Sequence, residues 1–160
     1  ALKMPFLIRC PGHIEPGSRI DAMIQNIDYA PTIMDIAGLD MPEEVQGRSF
    51  KPILEGQKPA DWRESVYYHY YDHGRHNVPR HEGVRTNQYK LIWYCTDDHY
   101  EFFDLTKDPH ELQNVYDQNA YSSQVEALKS ELRRLRQQYQ VPQHVFQEPY
   151  VPFSGIGTRN

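Results

Sequence analysis

No stretch of this 160-residue chain approaches the roughly 20 consecutive apolar residues that a membrane-spanning helix requires. Nor does a basic-then-apolar pattern open it, so no secretory leader is legible in the first residues. Positive charge is also short. The 17 Lys and Arg stand against 22 Asp and Glu for a net charge of -5, and the arginines are scattered. A general nucleic-acid binder needs a basic face to neutralise phosphates, so that class is excluded. Cysteine is scarce too: Cys10 and Cys95 form no CxxC pair, read as two ordinary thiols, and leave the redox compartment open.

What is present is a globular composition, 39% apolar and 24% charged, with a core that looks thin for a chain long enough to form one domain. Residues 4–10, MPFLIRC, form a short apolar run closed by Pro11-Gly12, which predicts a buried strand ending in a turn. A helix follows, with Asp28 as N-cap, Pro31 in its first turn and Gly38 as its stop. Its apolar positions Ile33, Met34, Ile36 and Ala37 exceed one narrow stripe, which predicts cover on more than one side. From Asp40 to Asp61 the chain is rich in Pro, Gly and charge, with a short helical turn near Ser49–Leu54, and marks the best domain boundary.

Beyond it, SVYYHYY, GVRT, KLIWYC and YEFFDL are aromatic or β-branched runs separated by short polar breaks, predicting an antiparallel sheet of three or four strands. Over 120–139, Val125, Leu128, Leu132, Leu135 and Tyr139 recur at three and four, predicting a helix laid on one sheet face. Residues 141–160 lack any period and read as an extended tail. One strand and one helix cannot form a domain without neighbours. Residues 1–55 are therefore expected to close a larger α/β domain, with 56–140 an α+β subdomain of sheet and helix.

The ordered series MPFLIRCPGHIEPG, IDYAPTIMDIAGLDMPEEVQGRSFKPIL, WRESVYYHYY, GVRTNQYKLIWY and YEFFDLTKDPHELQNVY resembles the C-terminal third of type I sulfatases of the alkaline-phosphatase superfamily. HNVPRHEGVRT is more particular and resembles the N-acetylglucosamine-6-sulfatase branch, which includes bacterial mucin-desulfating enzymes. The resemblance implies the end of an alkaline-phosphatase-like α/β domain. It also implies a formylglycine nucleophile made from a Cys/Ser-x-Pro-x-Arg motif, working beside a calcium held by oxygen ligands. Neither cysteine nor any serine here heads that motif, so calcium and formylglycine are expected upstream of Ala1 and this chain alone is expected to be inactive. Implied partners are a sulfated glycan of mucin or glycosaminoglycan type and the rest of the catalytic domain. The implied location is periplasmic, extracellular or lysosomal.

The stretch YYHYYDHGRHNVPRHEGVRT, residues 67–86, gathers half of the chain's eight histidines. His69 and His73 are four apart, a spacing that serves a metal on a helix. Tyr-Tyr-His-Tyr-Tyr is strand-like, with His69 on one face beside Tyr67 and Tyr71, which argues against a metal site. His73, Arg75, His76, Arg80 and His81 fall in a donor-rich loop bounded by Gly74 and Pro79. A solvated loop accounts for them as composition alone. The resemblance instead implies a loop over the pocket mouth, whose imidazoles can both donate to and accept from sugar hydroxyls. On that reading His81 is the first substrate-binding candidate, His76 the second, and Arg75 and Arg80 follow. Arg85 is expected to pair with a carboxylate between the two domains, and Asp108, Glu111 and Asn114 to serve turns and caps. Two other classes remain open from the residues: a phosphodiesterase or phosphoryl transferase of the same superfamily, and a stand-alone carbohydrate-binding module.

Overall fold

The computed structural model describes residues 4–71 and 78–142. Contacts divide the chain between Arg63 and Glu64 into two units. The loop residues Arg75 and His76, and the tail from 143 onward, lie outside the described residues.

In the first unit, helix α1 (Tyr29–Ala37) follows a single 3-10 turn at Asn26–Asp28, and a short helix α2 (Lys51–Leu54) comes after it. Gly38 ends α1 in the left-handed region at φ 68°, the conformation glycine adopts without penalty. Asp28 does more than start the helix. Its fully buried carboxylate accepts from the backbone N–H groups of Gln25 (2.7 Å) and Arg48 (2.9 Å) and from both terminal nitrogens of Arg63. A buried charge is tolerated when it is paired and hydrogen-bonded on every side, so this aspartate pins three separate segments together. Trp62 is flanked by the guanidinium groups of Arg48 and Arg63, 5.0 and 4.9 Å from its ring centroid.

Phe50, Ile53 and Leu54 form this unit's buried apolar cluster, with Ile14, Ile24, Tyr29, Ile36 and Trp62 packed on it. Two expectations are corrected here. Residues 4–10 have no strand pairing, and Leu7 is 96% exposed, because no described segment offers them a ladder partner. Helix α1 is covered on the side of Phe50 but not opposite, where Ile33 is 66% exposed.

The second unit is a four-stranded antiparallel meander, β1 (Ser65–Tyr70), β2 (His81–Thr86), β3 (Tyr89–Tyr94) and β4 (His99–Asp104), followed by helix α3 (Ser122–Gln138). Side chains alternate between faces, so one face presents Val84, Leu91 and Phe102. Against it pack Val125, Leu128, Leu132 and Leu135 of α3, all buried, with Tyr139 partly buried beside them. The expected stripe packs on the sheet, with Tyr139 just past the helix end, while β2 starts at His81, two residues ahead of the GVRT run. Gly83 is required on the opposite face. A Cβ there would lie 2.4 Å from the Leu91 carbonyl and 2.6 Å from the Tyr68 ring, which crosses the strand at that point.

The connection after β4 is tightly knotted. The Asp108 carboxylate accepts from the N–H groups of Leu112 and Gln113 (2.7 and 2.8 Å). Asn114 Oδ1 accepts from the N–H groups of Phe102 and Tyr116, both at 3.0 Å, and its Nδ2 donates to the Tyr100 carbonyl at 3.3 Å. Glu111, at φ 56°, receives Arg85 at 3.2 Å and also Lys90. The carboxylate partner of Arg85 thus sits in the same unit, in the turn beyond β4. The sequence alone puts it between domains, because strand register cannot show which turn folds back over β2 and β3.

Candidate functional site

β1 runs out and β2 begins at one end of the sheet, and of the candidate residues Arg80 and His81 lie there. His81 is the first residue of β2, half-buried on the face away from α3. Its ring stacks on Tyr70 (centroids 5.3 Å, 16°) and touches the rings of Tyr68 (5.9 Å) and Tyr94 (5.3 Å). Its Nδ1 lies 2.9 Å from the Pro79 carbonyl. A carbonyl can only accept, so Nδ1 carries a proton, and Nε2 is left to accept while the ring is neutral or to donate once it is charged. This is a held imidazole with a defined tautomer, built into a strand rather than carried on a loop.

Arg80 is placed differently. It is 1% exposed, and its carbonyl accepts from the Cys95 N–H at 3.2 Å, so it is enclosed at the root of β2. The exposed donor loop read from sequence therefore ends before Arg80.

Beneath His81, on the α3 face, lies a polar cluster that sequence reasoning missed. Tyr67 donates to Glu82 Oε2 at 2.8 Å and is 3.1 Å from His69 Nδ1, while Arg136 of α3 approaches Glu82 Oε1 at 3.4 Å. Glu82 is fully buried, and that burial raises its pKa against the opposing pull of Tyr67 and Arg136. With the Tyr67 proton directed at the carboxylate, His69 donates from Nδ1. Its ring stacks on Tyr71 at 3.7 Å, as expected for residues sharing a strand face. Burial, with Arg80, His81 and Arg136 nearby, lowers the His69 pKa to about 4, so it is neutral at physiological pH. The signal available in sequence was a glutamate at an inward strand position beside Gly83 and Val84, with Arg136 on the helix stripe's flank.

Cys95 is half-buried and its thiol is pushed up to about 11, chiefly by burial, so it is no nucleophile at neutral pH. Among the described residues no group of three His, Cys, Asp or Glu side chains could hold a metal ion. No cysteine or serine of the chain heads a Cys/Ser-x-Pro-x-Arg motif, so these residues do not supply a formylglycine. The arrangement is a set of held hydrogen-bonding groups at one end of the sheet.

Residues 1–138 match the family described as N-sulphoglucosamine sulphohydrolase, C-terminal. The chain is 42% identical over 141 residues to an N-acetylglucosamine-6-O-sulfatase of Bacteroides thetaiotaomicron, covering 86% of this chain and 25% of that protein. It is 32% identical over 145 residues to the N-acetylglucosamine-6-sulfatase of Bos taurus, covering 71% of this chain and 26% of that one. A solved structure in complex with its substrate D-glucosamine-2-N,6-O-disulfate superposes with a TM-score of 0.83 at 39% identity, over 88% of this chain and 29% of that one. The chain thus spans about a quarter of the length of the curated relatives it matches. On the match over residues 1–138, the chain belongs to the N-sulphoglucosamine sulphohydrolase C-terminal family of sulfatases.

Proposed function

We propose that this chain is the C-terminal portion of a sulfatase that removes sulfate from glucosamine residues of glycans, with the 6-O-sulfate of N-acetylglucosamine as its target. The observation that carries this reading is the 42% identity to an N-acetylglucosamine-6-O-sulfatase across 86% of the chain. The solved relative that binds a 6-O-sulfated glucosamine supports the same sugar. Residues 1–55 are read as the last strand and helix of the catalytic α/β domain, and the exposed Met4, Leu7 and Ile33 suit a segment that continues into a larger core. Residues 56–140 form the subdomain that shapes substrate access, and 141–160 a tail. Calcium and formylglycine belong to the catalytic domain ahead of this chain. Mucin or glycosaminoglycan chains are the source of the sugar, which places the protein in the periplasm, outside the cell or in the lysosome.

Within this reading His81 contacts the sugar through Nε2, with Nδ1 tied to Pro79. Arg75 and His76, named from the sequence, complete the set, and the enclosed Arg80 supports it. In the polypeptide that contains this chain, His81→Ala is expected to lower kcat/KM for 6-O-sulfated N-acetylglucosamine by about fivefold to tenfold, the worth of one hydrogen bond. A small aryl sulfate should be turned over as before. Equal losses on both substrates would show a structural role instead.

A second reading draws on phosphonate monoester hydrolases of similar fold. A phosphonate monoester hydrolase superposes with a TM-score of 0.71 at 26% identity. Turnover of a phosphonate monoester above that of every sulfate ester would select it.

A further inference from the structure

Four rings stand in one row across the sheet end that carries His81. The register pairs Tyr70 with His81, His81 with Tyr94, and Tyr94 with His99. Their centroids are 5.3, 5.3 and 5.9 Å apart, with interplanar angles of 16°, 46° and 30°. Rings that turn their faces to one another cannot also offer those faces to a sugar. Side chains stand roughly perpendicular to a sheet, so the ring edges point outward. Those edges hold the phenol oxygens and imidazole nitrogens. The row is therefore a line of hydrogen-bonding atoms repeating at strand spacing, close to the length of one sugar ring.

The chemistry changes along that line. At the His99 end, the Tyr94 hydroxyl donates to Glu101 Oε2 at 3.2 Å and keeps its oxygen as an acceptor. Glu101 shares this face, because it pairs with Ile92 one step along the sheet. Asp97 is exposed in the turn that leads into His99, whereas the Asp98 carboxylate is engaged toward the α3 face, where it accepts from Trp93 Nε1 at 2.9 Å. Among the described residues, the cations on this face are Arg85 and Lys90, which sit farther down the strands and are bound to Glu111. A sulfate brought to this end would meet carboxylates, whereas a hydroxyl proton would meet acceptors.

We propose that His99, Glu101 and the Tyr94 hydroxyl form a second sugar-recognition site beside His81, which takes an unsulfated sugar residue joined to the sulfated one. The proposal rests on the reading of His81 as a sugar contact and deepens it into a preference for sparsely sulfated glycan.

The test uses the polypeptide that contains this chain, with Glu101→Gln and His99→Ala. Each is assayed on 6-O-sulfated N-acetylglucosamine alone, on the same sugar linked to an unsulfated neighbour, and on it linked to a sulfated neighbour. The unaltered protein is expected to favour the unsulfated neighbour. Both substitutions should lower kcat/KM for that disaccharide by about threefold to tenfold, and Glu101→Gln should narrow the gap between the two disaccharides. Equal loss on the monosaccharide, or no loss on either disaccharide, would overturn the proposal. Glu101→Gln is isosteric, and an unchanged melting midpoint confirms that it folds. His81→Ala is run alongside on the monosaccharide. If that variant is silent, the primary sugar reading fails, whatever the disaccharide arms give.

Discussion

At the scale of single residues, the most consequential neighbour of the candidate site is His69, which never reaches the site's surface. Its pKa of about 4, set first by burial and then by Arg80, His81 and Arg136, lies well below its ordinary 6.5. An imidazole that protonates near 6.5 in the unfolded chain but near 4 in the folded one binds more protons when unfolded between those values. Its contribution is full above 6.5, falls as pH drops through that window and levels off below it. Urea unfolding between pH 7 and pH 4 should show this slope, and it should be shallower in His69→Gln. An equal slope in both proteins would assign the effect to other groups. Carboxylates such as Asp104, held down to about 2 first by the Thr106 hydroxyl, lose their contribution only at lower pH, so the two windows separate.

Among the elements, α3 and the meander it covers were the most legible parts of the sequence. Val125, Leu128, Leu132 and Leu135 repeat with helical spacing, and aromatic runs broken by short polar turns make strands whichever way the rest folds. What could not be read was anything dependent on which distant segment arrives. Asp28 was visible as a helix start but not as the anchor for Arg48 and Arg63, 20 and 35 residues away. Residues 4–10 have strand composition without a strand partner, and composition cannot supply one. His81 read as loop because Pro79 precedes it, yet β2 begins at that residue. A direct check of the helix's role is Leu132→Ala, which should destabilise the second unit by about 2–5 kcal/mol. Arg133→Ala, one position along on the exposed side, should stay within about 0.5 kcal/mol. Comparable losses at both positions, by chemical denaturation, would contradict the packing described.

For the whole molecule, the two units differ in what they enclose. The second buries Val84, Leu91, Phe102 and the α3 leucines in one cluster, with Ile92, Phe103 and Leu105 in another. Among the described residues of the first, the buried apolar cluster is Phe50, Ile53 and Leu54, while Met4, Leu7, Ile33 and Leu39 are exposed. Produced separately, residues 64–160 should melt cooperatively. Residues 1–63 should lack a sharp transition and bind a hydrophobic dye such as ANS. A cooperative, dye-free melt of 1–63 would show that it is self-sufficient and would remove one support for its place in a larger domain. The sheet itself ends cleanly on one side. Because Asn114 and the Val115 N–H engage the Tyr100 carbonyl and both backbone groups of Phe102, a strand from another molecule finds these groups of β4 already taken. One side-chain amide thereby guards this flank against edge-to-edge association, the first step by which exposed sheets grow into aggregates.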